Sequence, residues 1–212
     1  MMIFAYDLAH WAAFFTAVFF LNLSPGPDTA FVLSRTLGGG RTAGLWAMSG
    51  TMTGALLHVV MAVLGLSAIL AASATAFTAI KIIGALYLIW LGVQALRTGG
   101  GFLAKRGPAE SNPWKLWRQA LFVNLMNPKA VLFFLVFLPQ FTSPTAGPVP
   151  AQLLLHGLIL VAVSSVFYLG IVLLAERLTV LLSRRPSVST WIDRTLGVTF
   201  IGFGAKLALS RS

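Results

Sequence analysis

No cysteine occurs in this chain. That excludes disulfide staples, thiol redox relays and thiolate-held metals together. Acid is scarce too. Five Asp and Glu residues stand against fifteen Lys and Arg, and charged residues make up only 9% of the sequence. A soluble domain carries roughly a quarter, so this chain cannot cover itself with a charged surface. With so few carboxylates and three scattered His residues, the sequence offers no convergent nucleophile–base or metal constellation. That disfavours an enzyme, and no cofactor or metal site is expected. There is also no basic n-region ahead of the first apolar run, because the first basic residue is Arg35. The segment "HWAAFFTAVFFLNL" is therefore expected to be a retained span, not a cleaved signal.

What the sequence has is apolar length. Hydrophobic residues make up 58% of 212 residues, and the mean hydropathy is +0.87. The bilayer is the expected solvent, and the chain is expected to be one transmembrane domain over 1–212. A spanning helix needs roughly 20 apolar residues. Six stretches qualify, at about 8–24, 44–70, 76–96, 118–139, 151–175 and 190–209. The net charge of +10 does not point to nucleic acid, because the basic residues sit in short connections between the apolar runs. Arg35 and Arg41 separate the first two spans. Arg97, Lys105, Arg106, Lys115 and Arg118 separate the third and fourth, and Arg177, Arg184, Arg185 and Arg194 the fifth and sixth. The connections "AASAT" and "FTSPTAGPVP" carry none. Positive charge marks the cytoplasmic side, so a multi-pass protein of the cytoplasmic (inner) membrane with both termini outside is expected.

Three spans followed by three make the second triplet enter from the opposite side. A sequence echo matches this: "NLSPGPDTAFVL" in the first triplet and "NLMNPKAVLFFL" in the second. The expected fold is all-α, with six transmembrane helices arranged as two inverted three-helix repeats (1–100 and 101–212) and helices broken at the Pro motifs. Paired interruptions of this kind mark transporter binding sites. Proline frees backbone carbonyls, and in hydrocarbon these must face protein or a water-filled cavity. The resumed helices begin with free N–H groups that attract anions. The expected substrate-binding residues are Asn22, Ser24, Pro25, Gly26, Pro27 and Asp28 at the first break, and Asn124, Asn127, Pro128 and Lys129 at the second. Ser24 is read as a cap for the resumed helix. Asp28 is placed to pair with a substrate ammonium or take up a coupling proton. Lys129, a charge inside a span, is placed to bind a carboxylate or pair with Asp28. His58 reads as a core residue, and Gly44, Gly50 and Gly54 as a face for close helix packing. "TLGGGR" lacks the ending of a phosphate loop.

Taken together, "SPGPDTAFVLSRTLGGGRTAGLWAMSGTMTG" and "NLMNPKAVLFFLVFLPQF" resemble the two signatures of the LysE family of amino-acid exporters, in particular its homoserine/threonine efflux (RhtB) branch. The resemblance covers nearly the whole chain. It matches Pro25, Gly26, Pro27 and Asp28 to the first motif, and Asn127, Pro128 and Lys129 to the second. Ser24 stands where many members have Asn. The resemblance implies export of small amino acids or related zwitterions, driven by exchange for protons. The alternatives are a channel, or an exporter of another small solute or cation from the same superfamily. The sequence leaves a homo-oligomer open.

Overall fold

The computed structural model describes residues 6–24, 26–66, 74–97, 109–184 and 186–209. Pro25, Lys105, Arg106 and Arg185 lie outside them. The described residues are helical almost throughout, with no strand among them. Helix α1 (Leu8–Leu23) starts at Asp7, whose carboxylate accepts from the His10 backbone N–H at 2.8 Å, a side-chain N-cap. Helix α2 (Pro27–Met61) starts on a proline in the first turn and runs into a π-helical turn, Ala62–Leu66. Helix α3 is Ala74–Arg97. Helix α4 (Pro113–Leu125) is capped by Asn112 and helix α5 (Pro128–Leu132) by Asn127. A π-helical turn, Phe133–Phe137, and a 3-10 turn, Leu138–Phe141, continue α5. Two long helices close the chain, α6 (Val149–Arg184) and α7 (Pro186–Leu209).

Helix α2 is not a straight rod. Gly40 interrupts it with φ 78° and ψ −176°, in the left-handed range that favours glycine. Eight helical residues would span about 12 Å. Yet a Cβ on Gly44 would lie 3.0 Å from the Thr36 Cβ and 3.1 Å from Val172. The chain therefore folds back at Gly40 into two limbs, 27–39 and 41–61. The contacts with α6 agree. Thr29 meets Tyr168 on the first limb, whereas Gly44 meets Val172 and Gly157 meets Val59 on the second. Arg35 and Arg41 thus flank a one-residue helical turn, where the sequence suggested a longer loop between spans.

Glycine faces set the packing, as expected for the second span. A Cβ on Gly50 would lie 2.9 Å from the Ala120 Cβ, and one on Gly54 would lie 2.9 Å from the Asn124 Cβ. Helices α3 and α7 approach as closely: a Cβ on Gly92 would lie 2.6 Å from the Gly197 carbonyl oxygen. Such small-residue seams suit helices in lipid, where burying apolar surface supplies no drive to associate.

A core of Phe14, Val18, Val32, Ala47, Val59, Leu138 and Leu153 sits inside the bundle. The outside is just as apolar, with Phe19, Leu64, Leu86, Val166 and Val198 all more than half exposed. Val149–Leu181 has the length and hydropathy of a membrane crossing, and so does Pro27–Gly65 by length and composition alone, although the reversal at Gly40 divides it. Pro113–Leu125 with Pro128–Phe141, bent by 53°, makes a third if read as one broken span. The elements of the described residues are all helical, and the chain is a membrane protein. Helix α4 starts about a turn earlier than the sequence suggested, because Asn112 and Pro113 give it a cap and a first-turn proline ahead of Lys115.

Candidate functional site

The two helix interruptions meet. Helix α1 stops at Ser24, and α2 begins at Pro27 with Gly26 at its cap and no side-chain cap bond. Ser24 therefore ends the first helix and does not cap the second, contrary to the expectation from sequence. At the other interruption, the Asn127 side-chain carbonyl accepts from the Lys129 backbone N–H at 3.0 Å and so caps α5. The same side chain turns its amide outward and donates to Asp28 Oδ2 at 2.8 Å. Asn124, in the last turn of α4, donates to the same oxygen at 2.9 Å. A carboxylate is an acceptor only, so two amide donors from the opposite interruption fix its position.

The second half returns the contact. Lys129 Nζ donates to the Ser24 carbonyl at 2.8 Å and lies 3.4 Å from the Leu21 carbonyl. These are carbonyls that the end of α1 leaves without helical partners. Gly26 makes room for this approach: a Cβ there would lie 3.0 Å from Lys129 Nζ. The lysine thus binds backbone oxygens across the break. Asp28 and Lys129 line one cavity.

That cavity measures about 50 Å³, and Asn22, Thr51, Asn124, Ser164 and Tyr168 also line it. It offers room for a water molecule or two, so a larger ligand requires the surrounding helices to part. Two buried acceptors, Asp28 Oδ1 and Asn124 Oδ1, have no hydrogen-bond partner. Leaving a buried polar atom unmatched costs about 1–3 kcal/mol, so the site holds unused accepting capacity, suited to a proton or a cationic N–H group. Asn22 donates to the Val18 carbonyl at 2.8 Å and satisfies backbone inside its own helix.

Three polar residues of the cavity wall were not singled out from sequence. Tyr168 sits with its hydroxyl 3.3 Å from Thr29 Oγ1, and Ser164 and Thr51 complete the wall. His58, read as a core residue, is buried and stacked on Phe134, but its Nε2 also lies 3.3 Å from the Asn124 carbonyl oxygen. It braces the residue that holds Asp28. Of the positions expected to act together, Asn22, Asp28, Asn124 and Lys129 line the cavity. Ser24, Gly26 and Asn127 frame it as helix ends and caps, and Pro27 and Pro128, each in a first helical turn, are exposed.

One expected result follows from the packing. Gly54→Ala places a methyl group 2.5 Å from Asn124 Oδ1, with an overpacking cost of about 1–3 kcal/mol. Asn124 must then shift from Asp28. Gly54→Ala should lower the thermal midpoint, whereas Gly65→Ala, with open space at that position, should leave it unchanged. A Gly54→Ala protein with parental stability would refute this packing.

The description "LysE type translocator" matches residues 19–211, almost the whole chain and both interruptions. The chain belongs to the LysE family. Members similar to it include an uncharacterized membrane protein of Vibrio cholerae, 34% identical over 206 residues, covering 97% of this chain and 100% of the relative. A homoserine/homoserine lactone efflux protein of Salmonella typhimurium is 31% identical over 201 residues, covering 95% and 97%. A leucine efflux protein of the same organism is 27% identical over 211 residues, covering 98% of each. No solved structure matches. This member of the LysE family is therefore a membrane transporter related to amino-acid efflux proteins, and not an enzyme. The resemblance noted for its two motifs is confirmed at the level of the family.

Proposed function

We propose that this protein exports small amino acids from the cytoplasm by proton antiport, with Asp28 as the site for the substrate ammonium. The observation that carries the reading is the Asp28 carboxyl group: buried, fixed through one oxygen by Asn124 and Asn127, with the other oxygen unpartnered. Homoserine, homoserine lactone and leucine, the compounds in the relatives' names, share an α-ammonium group but not a free carboxylate. The ammonium is thus the group that a common site must recognise. Lys129 and the helix starts at Pro27 and Pro128 are placed to meet a carboxylate where the substrate has one. In an ionised carboxyl group the free oxygen accepts either the ammonium or a proton, and the two compete. That competition is the antiport step: substrate leaves as a proton arrives.

The arrangement we propose is six spans in the cytoplasmic membrane, as two inverted three-helix halves that rock around the two interruptions. Helix α1 and the first limb of α2 form one broken span, and α4 with α5 and its continuation form its counterpart. Basic residues flank the Gly40 turn and the start of α4, which puts those ends in the cytoplasm and the termini outside. Single cysteines at Ser111 and Thr145, both exposed, test the orientation in a chain that has no cysteine of its own. An impermeant maleimide added to intact cells should label Thr145→Cys and spare Ser111→Cys; the reverse pattern would invert the topology.

The function itself is tested in proteoliposomes screened with amino acids, with and without a pH gradient. A small amino acid should be driven against its gradient only when protons flow the other way. Flux that ignores the pH gradient would identify a channel.

A further inference from the structure

A second polar cluster lies at the other end of α1. His10 and His156, 146 residues apart, face each other with their Nε2 atoms 2.9 Å apart. His156 is fully buried. Its other ring nitrogen, Nδ1, lies 2.8 Å from the Gln152 carbonyl oxygen. A carbonyl only accepts, so Nδ1 carries the hydrogen, and a neutral His156 presents a lone pair at Nε2. His10 must then donate from its own Nε2. The tautomers of both rings are set by this chain of contacts.

An aromatic cage encloses the pair. Tyr6 stacks on His10 with centroids 3.8 Å apart, Trp11 stacks on His156 at 5.1 Å, and Phe14 meets His156 edge-on at 4.9 Å. Phe141 packs against His10 at 5.8 Å. The Tyr6 hydroxyl also donates to Gln152 Oε1. The pair therefore ties the start of α1 to the start of α6. Further along α6, past the buried Leu160, Ser164 and Tyr168 line the Asp28 cavity. Ser164 is about 12 Å further along the helix.

We propose that His10 and His156 form a second proton-binding site, which latches the outer end of the transport path and releases it when both rings are protonated. The proposal rests on the transporter reading and orientation above. One added proton leaves a donor and an acceptor between the rings, and the latch holds. A second makes both facing nitrogens donors on two cations, and the contact is lost. The titratable groups facing the pair among the described residues are Tyr6 and Asp7. The Asp7 carboxylate accepts from the His10 backbone N–H. Acid outside would thus open the end through which substrate leaves and protons enter.

The experiment is a cysteine introduced beneath the latch, Ser164→Cys, with Thr145→Cys as the exposed reference, in right-side-out vesicles. Labelling by an impermeant maleimide is measured at pH 7.5 and pH 5.0 and normalised to the reference, which removes the thiol's own pH dependence. The normalised Ser164→Cys ratio should be several-fold higher at pH 5.0 than at pH 7.5. Adding His156→Gln or His10→Phe should make the ratio independent of pH. A flat ratio in the single Ser164→Cys protein overturns the latch by itself, so the result does not depend on either variant inserting. A pH step that survives in both histidine variants overturns it too. If the reference is labelled only from inside, the orientation fails and the outer latch with it.

Discussion

Asp28→Asn is expected to abolish pH-gradient-driven export while leaving the protein folded and inserted. Asparagine keeps the shape, and its side-chain carbonyl still accepts from the amides of Asn124 and Asn127. It removes the charge, the second acceptor and the proton site. Removing one partner of a buried charge pair costs about 2–5 kcal/mol, a loss of roughly 30-fold to several thousand-fold. The measurement is uptake of a labelled amino acid into inverted vesicles with an acidic interior, because that interior corresponds to the outside of the cell. The same competition fixes a sign for pH. Below the range in which Asp28 ionises, the proton holds the oxygen that the ammonium needs, so equilibrium affinity should fall as pH falls. In Asp28→Asn the affinity should be weak and flat across pH. Unchanged gradient-driven uptake in the variant would remove Asp28 from the coupling step.

Lys129 carries the second large effect, and the structure changes its expected character. Its ammonium donates to the Ser24 carbonyl and reaches the Leu21 carbonyl, so it holds the broken end of α1 as well as lining the cavity. Lys129→Met leaves those carbonyls with no donor. A hydrogen bond from a charged group contributes about 1.5–3 kcal/mol, which for a chain of this size lowers the thermal midpoint by roughly 3–12 °C. Lys129→Gln retains an amide donor and should lose less stability. Both variants should bind an amino acid more weakly than the parent, because both lack the positive charge. Thermal unfolding in detergent and equilibrium binding separate the two roles. A Lys129→Met protein as stable as the parent would refute the bridging role. Parental affinity in Lys129→Gln would remove the charge from substrate recognition.

The positions of both interruptions were legible in the sequence because proline and Asn-Pro have local consequences. Pro27 and Pro128 each sit in the first turn of a helix. The glycine seam of the second span was legible for the same reason, since small residues at helical spacing mean close approach. What local rules could not supply was the crossing of partners. Nothing near Lys129 in sequence says that it reaches back to Ser24, and nothing near Asn127 says that it divides itself between a cap and Asp28. Arg35 and Arg41 marked a connection between two spans, but only the backbone identifies Gly40 as the residue that reverses the chain. Ser24 was misread because a serine before Pro-Gly-Pro looks like a cap; here the helix starts after Gly26 instead. The polar residues of α6 were missed although their signal was present. Gln152 and His156, and again Ser164 and Tyr168, stand four residues apart in a largely apolar helix, which places each pair on one face.

The most direct measurement is competition against uptake of a labelled amino acid by two of its analogues. The methyl ester keeps the ammonium and lacks a free carboxylate; the 2-hydroxy acid keeps the carboxylate and lacks the ammonium. If Asp28 receives the ammonium, the ester competes and the hydroxy acid does not, and Asp28→Asn loses the preference. A hydroxy acid that competes as well as the parent amino acid would contradict the assignment of Asp28 as the ammonium site.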